Sequence, residues 1–171
     1  MLHRVLLIFV ISLFSFSGQA SHVLGGEITW TKQVDDYVFQ MTFYRDCNEA
    51  QFNTPTKIMR VWNHPIVTNV ILNFSSSFDI SPTCTEVTGG PEALICGTGA
   101  NSGNGSGAVE KSIYISDPIA LLGTPPPGGW IFTYETTFRS TNLLNLDTSS
   151  PKGITLISKI YATPNSTDVC I

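Results

Sequence analysis

Residues 37–45, Tyr37-Val38-Phe39-Gln40-Met41-Thr42-Phe43-Tyr44-Arg45, decide the fold class. In an extended chain, Tyr37, Phe39, Met41 and Phe43 share one face and Gln40 and Thr42 the other, because side chains alternate along a strand. Upstream, residues 24–32 carry Gly25-Gly26 before an alternating Ile28 and Trp30, and Val34-Asp35-Asp36 reads as the turn between the two strands. Downstream, strands are expected over residues 57–62 and 66–74, split by Asn63-His64-Pro65, where a proline interrupts a ladder. Residues 108–115, 130–139 and 154–161 complete the set. No segment sustains a 3.6-residue apolar period, and residues 118–122 have room only for a short turn of helix. About seven short strands cannot bury their apolar faces as one flat sheet. The expected architecture is therefore all-β, a two-sheet antiparallel β-sandwich of immunoglobulin-like or jelly-roll-like form, with a barrel as the main alternative.

The start of the chain sets its compartment. Arg4 lies in a short polar opening, residues 5–16 are almost wholly apolar, and Gly18-Gln19-Ala20 places small residues where a signal peptidase reads them. Residues 1–20 thus read as a signal peptide and residues 21–171 as one exported domain, extracellular or on the outer cell surface. The apolar run is too short to span a bilayer, which needs about 20 residues, so no integral membrane segment is expected after cleavage. Without the leader, 8 Lys and Arg stand against 13 Asp and Glu. That acidic balance, with no basic patch, argues against nucleic acid and against polybasic attraction to lipid.

Four cysteines, Cys47, Cys84, Cys96 and Cys170, permit two disulfides in three connectivities in an exported chain. Cys84 with Cys96 would enclose Gly89-Gly90 and Pro91, and Cys47 with Cys170 would tie an early strand to the C-terminal region. A four-thiolate metal site is disfavoured, since no C-x-x-C pair occurs. The glycine-rich residues 97–107 lack the Gly-Lys-Ser or Gly-Lys-Thr of a phosphate cradle and read as a mobile surface loop. Residues 124–129, Thr-Pro-Pro-Pro-Gly-Gly, read as a stiff lead into the next strand. His22 and His64 show neither zinc spacing nor a marked serine beside them. Glu27, Asp35, Asp36, Asp46 and Glu49 read as solvated turn residues, with a weak calcium contribution from Asp35 and Asp36 as the alternative.

No catalytic residue, cofactor or metal is expected from these patterns. Trp30, Trp62 and Trp130 are either core residues or, where exposed, platforms on which sugar rings stack. Asn73, Asn104 and Asn165 each open a glycosylation tripeptide, meaningful only in a host that modifies it.

Ser21-His22-Val23-Leu24-Gly25-Gly26-Glu27-Ile28-Thr29-Trp30, followed by Phe43-Tyr44-Arg45-Asp46-Cys47, resembles the N-terminal domain of large exported surface proteins of the Bacteroidetes. The likeness continues through Pro82-Thr83-Cys84, Cys96 and Gly128-Gly129-Trp130-Ile131-Phe132-Thr133-Tyr134 to Cys170. Such proteins often carry further immunoglobulin-like or PKD-like modules and a gliding-motility-associated C-terminal sorting domain. Thr137 and Phe138 stand where those proteins have paired cysteines, a departure that bears more on Cys47–Cys170 than on Cys84–Cys96. The resemblance implies a non-catalytic extracellular module, adhesive or structural, with a surface glycan or protein, or further modules of a longer chain, as partner. A glycan-binding module using exposed aromatics and a secreted hydrolase are the alternatives.

Overall fold

The computed structural model describes residues 23–49, 51, 54–82, 93–99, 101–137 and 153–162. Within them the chain is all-β and antiparallel, as expected, with eight strands: β1 (Val23–Gln33), β2 (Asp36–Asp46), β3 (Thr56–Trp62), β4 (Asn69–Asp79), β5 (Val109–Ser116), β6 (Ile119–Ala120), β7 (Trp130–Thr136) and β8 (Ile154–Ile160). The expected signal peptide at residues 1–20 lies outside the described residues.

The strands form one continuous hydrogen-bonded sheet in the order β1-β2-β5-β4-β3-β7-β8, with β6 on β2. This sheet curls until its two edges meet, so the facing layers are opposite walls of a nearly closed barrel. Phe39 of β2 reaches Phe132 of β7 across the interior, ring centroids 4.5 Å apart, and Phe43 meets Tyr134 at 5.2 Å. Between β1 and β8 the contact is made by side chains: Leu156 packs against the backbone at Gly26. A Cβ at Gly26 would also stand 2.5 Å from the Thr42 carbonyl oxygen, so this seam needs glycine.

β1 and β2 form a hairpin closed by Val34-Asp35, with Gln33 opposite Asp36. Val34 stands at φ 52°, an uncommon conformation for a β-branched residue. The period-two pattern of β2 behaves as read. Phe39, Met41 and Phe43 are buried and form the core with Met59, Leu72 and Phe132.

Two segments depart from expectation. The second strand of the β3–β4 pair runs over Asn69–Asp79 rather than residues 66–74, because an irregularity at Ser75 lets the chain continue with Ser76 opposite Ile113 and Ser77 opposite Ser112. Residues 118–122 contain no helical turn. Ile119 and Ala120 instead pair with Tyr37 and Asp36, continuing the line of β5 beyond Asp117-Pro118. Where the ladder breaks, the Ser116 hydroxyl accepts the Phe39 amide hydrogen bond at 2.9 Å.

Candidate functional site

The barrel has two chemically distinct ends and one notable outer face. At the first end, Cys47 just beyond β2 is bonded to Cys96, Cα atoms 5.5 Å apart. This corrects the expected Cys84–Cys96 and Cys47–Cys170 pairing. Cys84 and Cys170 themselves lie outside the described residues.

The pairing follows from how the glycine-rich segment folds. Cys96 forms an isolated bridge with Gly103, and the Ser102 and Gly103 amides both donate to the Cys47 carbonyl. Asn101 donates to the Glu49 carbonyl, and the Asn48 side chain donates to Gly105. The segment expected to be a mobile loop is therefore tied by its backbone to the end of β2. A disulfide of this kind belongs to an oxidising compartment.

Below it lies an interior polar cluster. Arg45, almost wholly buried, forms an ion pair with Glu110, and its Nη1 donates to the Glu49 carbonyl at 2.9 Å. The Ser112 hydroxyl donates to the other Glu110 oxygen at 3.0 Å. Lys57 is buried as well, its Nζ 5.3 Å from the Tyr114 ring centroid, and burial lowers its pKa to about 8. Burial likewise pushes the Tyr114 and Tyr134 phenols up to about 12. These groups face the packed interior rather than a cleft. Buried charges persist only when paired and hydrogen-bonded, and here the pairing serves to hold loop backbone in place.

The predicted carboxylate concentration does not converge. Asp46 caps its own turn by accepting from the Asn48 backbone and side-chain amides, and no metal-holding group of His, Cys, Asp or Glu occurs among the described residues. No helix among them is long and apolar enough to cross a membrane.

At the opposite end, His64 is a turn clamp that the sequence reading left without a role. Its Nδ1 accepts from the Ile66 and Val67 amides, at 3.2 and 2.9 Å, while its ring lies 4.7 Å from that of Trp130. An Nδ1 that accepts two N–H groups carries no proton. Burial lowers the His64 pKa more than the neighbouring Leu122 backbone raises it. His22 and Asn165 lie outside the described residues. Asn104 spends its side chain on the Ile95 amide and the Ala93 carbonyl, whereas Asn73 is exposed on β4.

The three tryptophans meet three fates. Trp130 is core at 1 % exposure, and Trp30 is half-buried against Tyr37, ring centroids 5.6 Å apart. Trp62 is 46 % exposed on the outer face of β3. Its Nε1–H donates to the Thr133 hydroxyl at 2.9 Å, and the Arg60 guanidinium lies 5.7 Å from its ring centroid. A hollow of about 290 Å³ opens beside it, walled by Arg60, Val61, Trp62, Thr68 and Asn69. A second hollow of about 480 Å³ lies at the far end of β7 and β8, with Glu135 as its one carboxylate among the described residues. Neither brings a nucleophile and a base together.

The arrangement can clamp, and on one outer face it can present aromatic and cationic groups to a ligand. No protein-family model, curated protein or solved structure matches this chain.

Proposed function

We propose that the chain works as a non-catalytic extracellular module with an adhesive or structural role at a bacterial cell surface. The observation that carries this reading is the junction at the first barrel end, where the Cys47–Cys96 bond, the Arg45–Glu110 pair and the glycine-rich segment form one connected unit. Such a junction suits a domain that must keep its shape in an oxidising setting. The leader-like residues 1–20 and the resemblance carried by Gly25-Gly26-Glu27-Ile28-Thr29-Trp30 and Tyr44-Arg45-Asp46-Cys47 support the same setting.

Membrane-impermeant biotinylation of intact cells, followed by a disulfide map of the labelled chain, tests it. A labelled chain carrying Cys47–Cys96 is expected. A chain protected until the cells are lysed, with Cys47 and Cys96 reduced, overturns the reading. The exposed Trp62 favours one of the alternatives, glycan binding, as a property of the same module.

A further inference from the structure

Trp62 does not stand alone on its face of the barrel. In the ladder, Trp62 pairs with Ile131 and Ile131 with Lys159, so these three form one row across β3, β7 and β8. Ile160 points inward at 3 % exposure, which sets its neighbours Lys159 and Tyr161 on the outside, and Tyr161 is 56 % exposed. The Tyr161 ring lies over Gly129, where a Cβ would come within 3.2 Å of it. Glycine there, at φ 77°, leaves room for the ring. Two strand spacings of about 4.8 Å and two residue rises of about 3.4 Å put the Trp62 and Tyr161 backbones about 12 Å apart. That span exceeds a single pyranose ring and matches a short oligosaccharide laid diagonally across the face.

Among the described residues, the charges in the Trp62 row and in the outward row beside it share a sign. Arg60 lies in the row next to Trp62, opposite Thr133, and Lys159 lies in the Trp62 row itself. Neither makes a salt bridge among the described residues. The outward carboxylate on β7 is Glu135, two outward rows beyond Trp62 and one beyond Arg60. A local pair of cations, Arg60 beside the Trp62 ring and Lys159 in the Trp62 row, on a chain of net charge −4 marks where an anion would be favoured. Asn69 and Thr68, which share a hydrogen bond of 3.3 Å, add neutral donors and acceptors on the wall of the hollow.

We infer that this face is a binding site for carboxylate-bearing oligosaccharides, their rings stacked on Trp62 and Tyr161 and their carboxylates held by Arg60 and Lys159. An aromatic face offers a flat apolar surface to the C–H side of a sugar ring, and guanidinium binds carboxylate through paired N–H donors. The inference rests on the surface-module reading for its setting only.

Isothermal titration of the oxidised exported chain with trigalacturonate, and with neutral maltotriose at equal concentration, tests it. Saturable binding of trigalacturonate is expected, at least about tenfold tighter than maltotriose and weakened by salt. Trp62→Ala abolishes it, and Tyr161→Ala weakens it about tenfold. The Arg60→Gln/Lys159→Gln double variant removes the preference for the acidic sugar while the circular dichroism spectrum and the Cys47–Cys96 bond stay as they are. No saturable binding of trigalacturonate, or an unchanged affinity in Trp62→Ala, overturns the site. Equal affinity for maltotriose overturns its carboxylate preference. Biotinylation of intact cells is independent of either result, so failure here leaves the surface reading standing.

Discussion

The two ends of the barrel are closed by different chemistry. At one, a covalent bond and a buried ion pair gather the end of β2, the start of β5 and the glycine-rich segment around Cys47 and Arg45. At the other, an unprotonated His64 fastens a turn onto Trp130 with two hydrogen bonds and a ring contact. The first closure depends on redox state and on charge pairing, the second on one proton. Each end is therefore expected to respond to its own condition.

The largest effect is expected from breaking the ion pair on one side. Glu110→Leu leaves the Arg45 guanidinium buried without its carboxylate and should lower unfolding free energy in urea by about 3–5 kcal/mol. Adding Arg45→Met should recover much of that loss. A cost below that of a peripheral substitution would break the contrast between the ends. Next in size is the disulfide, which spans 49 residues. Cys47→Ala with Cys96→Ala should cost about 2–4 kcal/mol. In hydrogen exchange the Ser102 and Gly103 amides, bonded to the Cys47 carbonyl, should open, while Val61 and Val67 at the other end stay protected.

The smallest effect should appear at mildly acid pH and at the histidine end only. The His64 pKa is lowered in the folded state from its usual 6.5, so the unfolded chain takes up the proton first. Stability is complete above pH 6.5 and falls as pH drops from there through the folded-state value. Trp130 fluorescence during urea unfolding at stepped pH reads this, and His64→Gln should flatten the dependence. A slope that survives His64→Gln would assign the acid sensitivity elsewhere.

Strand class and most strand positions were legible because β2 repeats large apolar residues with period two, a signal that depends on nothing distant. β3 and β5 were harder to orient. In β3 the buried positions are Lys57, Met59 and Val61, while Ile58 and Trp62 face out. In β5 the inward set is Glu110, Ser112, Tyr114 and Ser116. Hydrophobicity alone misassigns β5 and leaves β3 ambiguous, since Lys57, Glu110 and Ser112 share the interior with Met59, Val61 and Tyr114. The alternation itself, with Arg60 and Trp62 two apart, was the available sign that Trp62 and Trp130 differ in fate. The disulfide could not be read from spacing. It depends on the Ser102 and Gly103 amides meeting the Cys47 carbonyl, a contact between segments more than fifty residues apart. Tyr161, at the end of the expected strand 154–161, could not be singled out, because its place depends on Gly129, whose missing side chain leaves room for the ring.

The strand order also has a mechanical consequence. β1 starts at the disulfide end with Val23 opposite Arg45, and β8 finishes at the histidine end with Ile160 opposite Trp130. Tension applied between residues 23 and 160 therefore runs along the barrel's length. It loads the β1–β2 ladder in shear, so its hydrogen bonds must yield together instead of peeling one by one. Neither Cys47 nor Cys96 lies in β1, so the covalent clamp does not hold that strand. Leu156 against Gly26 is the contact on its other flank. Under load, the two edge strands β1 and β8 take the tension, each held by a single ladder, and β1, which carries Gly25-Gly26-Glu27-Ile28-Thr29-Trp30, has the longer ladder of the two.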